Sequence, residues 1–200
     1  MTELEAVNMM LRAIGVRRVN ELTSDQPDVT NARSILKRLR KKVQRRGWWF
    51  NIDYNVTYTP DGSSELSIGE DVTTLVFEKT RYVRRGTRVY DKHDQTYKIE
   101  EPLLVCRQIT VVPWDEMPEA CADHIAYYSA AEFIRDEIED LTKKKDFLAD
   151  AALALTDLKK QDIESQRLNI FSRSRVAAAR SGVQPYSRQN RRYFTGTPDK

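Results

Sequence analysis

Leu4, Val7, Leu11 and Ile14 recur at three- and four-residue steps, which places them on one face of a helix. Thr2 and Glu5 stand at capping-box spacing ahead of that stripe. Gly15 follows it, where a left-handed residue closes a helix. A polar stretch with Asp25, Pro27 and Asp28 then separates this helix from a second one, predicted over 29–46. Its buried face is Ala32, Ile35, Leu36, Leu39 and Val43, while Arg33, Lys37, Arg40, Lys41 and Gln44 lie elsewhere around it. Gly47 ends it.

From Trp48 the period changes to two. Aromatic and β-branched residues alternate with polar ones from Asn51 to Tyr58, and Pro60-Asp61-Gly62 is a turn signal. Further strands fit Thr73–Glu78, Arg81–Arg84, Arg88–Asp91 and Leu103–Val112, with Arg85-Gly86-Thr87 as a tight hairpin connection. Most carry one polar face, so an antiparallel sheet with one solvated or partner-facing side is expected. The pair Trp48-Trp49 at the corner reads as core rather than as a ligand platform, because two such rings bring large burial to one place.

Pro113 stops the last strand, and Pro118 suits the first turn of a third helix running to about Asp140. Its core stripe is Cys121, Ile125, Tyr128, Ala131, Ile134 and Ile138. After a break near Thr142, a fourth helix fits 144–168, with Phe147, Ala151, Leu155 and Leu158 as its apolar face. The expected fold class is α+β. A four-helix bundle (1–47 and 114–170) carries an antiparallel β domain (48–113) inserted between helices two and three. A basic C-terminal arm (171–200) follows.

Charge sharpens that division. Residues 171–200 hold seven Lys/Arg and a single acid, Asp199. Removing these from the totals of 33 and 30 leaves 26 basic and 29 acidic residues, so 1–170 carries a net charge of −3. The arm has too few large apolar side chains to build a core, and is expected to order on something else. Arg173, Arg175, Arg180, Arg188, Arg191 and Arg192, with Tyr186, Tyr193 and Phe194, fit a nucleic-acid arm and a protein-docking arm equally. A second basic run, Arg33 to Arg46, has eight Lys/Arg and no acid. It suits phosphate contact or docking on an acidic partner, although spreading the charges around a helix argues against groove binding.

Candidate chemistry is sparse. Cys106 and Cys121 are too few for a disulfide framework or a zinc site, and reduced thiols fit synthesis in a cytoplasm. The N-terminus lacks the apolar run of a signal peptide, and no stretch approaches the ~20 apolar residues of a membrane span. His93 in Asp91-Lys92-His93-Asp94 reads as a solvated loop histidine, and His124 as a structural or interface one. The acids Glu137, Glu139 and Asp140 raise the alternative of a wall or capsule polysaccharide hydrolase, although a helix rim carrying acids is far commoner. No phosphate-cradling glycine loop or nucleophile elbow occurs. No catalytic, cofactor or metal residues are assigned, and the chain is expected not to be an enzyme. A DNA-binding protein using 33–46 and the arm is the other alternative.

Five strings carry a resemblance. They are Ala6-Val7-Asn8 with Leu11, Ile14 and Gly15; Asn31-Ala32-Arg33 with Ile35-Leu36; Arg46-Gly47-Trp48 with Phe50-Asn51; Val89-Tyr90-Asp91; and Asp115-Glu116-Met117-Pro118-Glu119. In this order, over residues 1 to about 140, they resemble the tail tubular A family of T7-like short-tailed bacteriophages. Helix four matches in character alone, and the segment after Phe171 departs from the family's pattern. The resemblance implies a helical bundle with a β domain and a head-to-tail adaptor role in the virion. It also implies a ring of twelve copies between the portal and the tubular nozzle protein, with tail fibres near the lower junction. DNA would pass through the lumen without specific binding. The candidate interface or lumen residues are then Arg33, Lys37, Arg40, Lys41, Arg173, Arg175, Arg180, Tyr186, Arg191, Arg192, Tyr193 and Phe194.

Overall fold

A computed structural model describes residues 1–23 and 25–165. The fold is mixed α+β, with four α-helices and antiparallel sheets among the described residues. The chain divides into two compact units, 1–162 and 163–200, and only the last turn of a helix is described in the second.

Helix α1 spans Glu3–Ala13. Its capping box is formed: the Thr2 hydroxyl accepts from the Glu5 N–H at 3.2 Å, and the Glu5 carboxylate accepts from the Thr2 N–H at 2.7 Å. Gly15 lies one residue past the cap, at φ +81. The Val16 N–H reaches back to the Leu11 carbonyl (2.9 Å) and the Gly15 N–H to that of Arg12 (3.1 Å), which together make a Schellman close.

Helix α2, Pro27–Gln44, starts two residues earlier than the apolar pattern predicts. Pro27 opens it because proline's fixed φ suits the first turn, where an N–H would have no partner. Helix α3, Glu119–Glu137, buries nine residues around much of its circumference and is the central helix of the core. Two members of its predicted stripe are not buried: Tyr128 is half-buried and Ile138 is 41% exposed, lying beyond the last helical residue. Glu139, at φ +53, turns the chain. Helix α4, Leu141–Ser165, begins before the predicted break at Thr142, because the Asp140 carboxylate accepts from the N–H groups of Thr142 (3.0 Å) and Lys143 (3.1 Å).

The strands are β1 (Ile52–Tyr58), β2 (Val72–Phe77), β3 (Tyr82–Arg85), β4 (Arg88–Asp91) and β5 (Leu103–Thr110). They form two antiparallel sheets rather than the single one expected: β1-β5-β2, with the last strand in the middle, and the β3-β4 hairpin. Arg85 pairs with Arg88, so the hairpin loop is two residues, Gly86 and Thr87. Gly86 at φ +63 supplies the left-handed first position that a type II′ turn requires.

Two hydrophobic clusters result. One joins the helices with Trp48, Trp114 and Met117, and the other holds Leu66, Ile68, Val72, Tyr82, Val89, Ile99 and Leu103. In α2, Ala32, Ile35, Leu36 and Leu39 are buried as the spacing predicts. Gln44 is the exception on the polar side, being fully buried.

Candidate interaction surface

The basic residues of α2 fall into two groups. Arg38 and Lys42 face α3, where Arg38 Nη2 lies 2.5 Å from the Glu132 carboxylate and Lys42 Nζ donates to Tyr128 Oη at 3.2 Å. Asn31, farther up the same seam, donates to the Glu137 carboxylate. Arg46 sits over the Trp48 ring at 5.0 Å. Arg33, one of the expected interface residues, donates to the Leu22 carbonyl at 2.9 Å and so ties down the α1–α2 loop.

Lys37, Lys41 and Arg45 are exposed, and their side chains have no ion pair or hydrogen bond among the described residues. Arg40 is half-buried, and its Nε is buried with no partner. Lys37, Lys41 and Arg45 stand four residues apart and form one stripe, so the charges are sorted around the helix rather than scattered. Of the other expected interface residues, Arg173, Arg175, Arg180, Tyr186, Arg191, Arg192, Tyr193 and Phe194 lie outside the described residues.

A second arginine-rich surface had a signal in the sequence, the interleaving of Arg and Tyr from Arg81 to Tyr97, that length and net charge obscure. Arg85 stacks over Tyr90 at 3.6 Å, Tyr90 meets Tyr97 edge-on at 4.9 Å, and Arg88 covers Tyr97 at 4.4 Å. Much of this serves the hairpin itself. Arg84 donates to the carbonyls of Val72, Gly69 and Gly86, Arg81 pairs with Asp91 at 3.0 Å, and Arg88 pairs with Glu65 at 3.1 Å. In the larger sheet, Tyr54 (66% exposed) and Val76 (46% exposed) both stand opposite Arg107, making an apolar and cationic row across three strands.

An open cleft of about 750 Å³ lies among α1, α3 and α4, lined by Glu5, Arg12, Glu119, Asp123, Tyr127 and Asp150 among others. Burial raises the Asp123 and Tyr127 pKa values, while the amino group of Met1 sits 3.7 Å from Glu119 and 4.0 Å from Asp123. His124 Nδ1 lies 2.8 Å from the Ala151 carbonyl, which makes that nitrogen the donor, and burial lowers its pKa. His93 is exposed, with Nδ1 2.7 Å from Asp94; this hydrogen bond holds Asp94 below the usual carboxylate range. Burial pushes the Cys121 thiol up to about 12, which leaves it protonated and unreactive at neutral pH. Among the described residues no group of three or more His, Cys, Asp or Glu is placed to hold a metal ion, and no helix is long and apolar enough to cross a membrane.

Compared with known proteins, residues 4–193 match the family described as tail tubular protein. The chain belongs to the tail tubular protein family. It is also 25% identical over 181 residues to "Tail tubular protein A" of Klebsiella phage KP34, covering 90% of this chain and 95% of that relative. The family match runs well past residue 140, through the segment after Phe171 where the five strings give no support. Tail tubular proteins are structural components of the phage tail, so the chain is a virion tail component.

Proposed function

We propose that this tail tubular protein is the head-to-tail adaptor of a short-tailed phage. It forms a ring of twelve copies that joins the portal to the tubular nozzle, with tail fibres attaching near the lower junction. The observation that carries this reading is the match to the tail tubular family over 190 positions, from residue 4 to 193, including a relative named for tail tubular protein A. The role is architectural and not enzymatic. In this reading residues 1–47 and 114–170 are a helical bundle that forms the stiff wall, and 48–113 are an inserted β module that meets a neighbouring ring. The basic arm from 171 onward adds contact area on assembly. DNA passes through the lumen without specific binding, as sliding requires.

A closed ring needs a heterologous interface, in which two different surfaces of each copy meet. Each such contact should exceed the ~1,000 Å² that separates stable interfaces from adventitious ones. The test is to purify the chain together with the portal of the same phage and image the mixture. A ring seated on the portal is expected; monomers alone, with portal present, overturn the reading.

A further inference from the structure

We propose that the outer stripe of α2 (Lys37, Lys41, Arg45) docks on an exposed stripe of α4 (Asp146, Asp150, Leu153, Asp157), bordered at Asp150 by the cleft beside α1, of the next copy of this chain. The inference rests on the ring reading and specifies which faces close the ring. At 1.5 Å and 100° per residue, Lys37 to Arg45 spans about 12 Å of helix and turns through about 80°. Asp146, Asp150 and Asp157 span about 16 Å within about 40° of one another, again from ideal helix geometry. The stripes are opposite in sign and comparable in length, and all six side chains are exposed.

Among the described residues, neither stripe is neutralised. No ion pair among the described residues involves any of the six. Like charges at i and i+4 disfavour a helix, and Lys37–Lys41, Lys41–Arg45 and Asp146–Asp150 are all such pairs. The cations that do serve the protomer, Arg38 and Lys42, sit on the flank of α2 turned to α3.

Leu153 supplies the apolar centre. It is 68% exposed, lies within the acidic stripe, and has charged residues on either side, the arrangement of a small anchor inside a polar rim. A second copy is the fitting occupant because both complementary faces are on the same chain, which is what a heterologous contact requires. DNA would use the cations and leave the acids and Leu153 unexplained.

The test uses full-length chain with portal. K37E/K41E/R45E and D146K/D150K/D157K are each expected to keep the far-UV circular dichroism melt of the wild type. Each should lose ring assembly by roughly tenfold or more, the scale of like-charge juxtaposition across an interface. Mixing the two variants restores rings in which they alternate, and one chain carrying all six changes assembles alone. If a triple variant melts early, its neutral counterpart, K37Q/K41Q/R45Q or D146N/D150N/D157N, replaces it, and wild-type rings must loosen as salt screens the contact. Rings that form normally from either folded triple variant overturn the inference, as does failure of the six-change chain or wild-type assembly indifferent to salt. Reversal that abolishes DNA retention but leaves rings intact overturns it in favour of a lumen face. Wild-type chain that forms no ring on its portal removes the adaptor reading and this inference with it.

Discussion

Asn51 Nδ2 donates to the main-chain carbonyl of Gln44 at 3.0 Å, tying one buried amide side chain to the backbone of the residue that carries the other, across the Trp48 corner. Asn51 also donates to the Thr110 carbonyl (2.9 Å) and accepts from the Trp48 N–H (2.8 Å). Gln44 accepts from the Val112 N–H (2.8 Å) and donates to the Val112 carbonyl (3.2 Å). The chain leaves α2 for the sheet at this point and comes back from β5 toward α3 beside it, and the two amides fasten both crossings together. Where a domain must pass force or registry between wall and sheet, a paired joint of this kind limits hinge motion.

Replacing either amide orphans buried main-chain groups, each costing about 1–3 kcal/mol. Asn51→Ala, which strips three main-chain partners, should destabilise more than Gln44→Ala, which strips the Val112 N–H and carbonyl and the weaker acceptor Met117 Sδ, read as a lower urea midpoint at unchanged slope. The two effects should be non-additive by about 0.5–3 kcal/mol, as for residues sharing one network. Strictly additive losses would show two independent contacts and no joint.

Gly47 adds a second constraint at the same corner. It holds φ +80, and a Cβ there would sit 2.8 Å from Arg107 Nη2 and 2.9 Å from Ile109 Cδ1. Gly15 has nearly the same φ, +81, with nothing within 4 Å of an added Cβ. Both changes to Ala carry the left-handed penalty of about 1–2 kcal/mol. Gly47→Ala should cost measurably more than Gly15→Ala in the same denaturation series, the difference being the steric part. Equal losses would mean that Arg107 and Ile109 swing aside without cost.

Trp48 is 2% exposed within the helical core, and its Nε1 donates to the Val43 carbonyl at 3.0 Å. Trp48→Ala should cost about 3–5 kcal/mol, the range for emptying a buried aromatic site. An unchanged melting temperature would mean that the ring contributes little to the isolated protomer.

The helical stripes were legible because burial on one face imposes a period that a single chain displays. Ile35, Leu36 and Leu39 could be placed from spacing alone. The strands were also visible, but not their partners: β1 pairs with β5, and that pairing depends on contacts between residues far apart in the sequence, from Tyr58 with Leu103 to Ile52 with Ile109. Gln44 was misplaced on the polar side because its burial is satisfied by Val112, 68 residues away. The candidate surface was half legible. A run of eight cations marks α2, but which of them are occupied depends on Glu132 and Tyr128 of α3. The opposing stripe on α4 emerges once its exposed face is known, since its acids are interspersed with Lys143, Lys144, Lys145, Lys159 and Lys160 in the linear sequence.

His124 links α3 to α4 through the Ala151 carbonyl and stacks on Tyr128 with ring centroids 6.1 Å apart. Burial lowers its pKa, the Ala151 hydrogen bond opposes that shift, and nearby Lys159 adds to it. The unfolded chain therefore binds a proton at a pH where the native one does not. The sign follows from linkage: the stability tied to neutral His124 is fully present above the ordinary histidine value of 6.5 and is lost as pH falls from there toward the lowered native value. Asp123 shifts in the opposite sense but is common to wild type and variant, so it cancels in their difference. His124→Gln keeps a donor for the Ala151 carbonyl and removes the titration. Melting temperatures measured from pH 7.5 down to 5 should fall less steeply for the variant than for the wild type. Parallel curves would place the acid sensitivity of the α3–α4 contact on other groups.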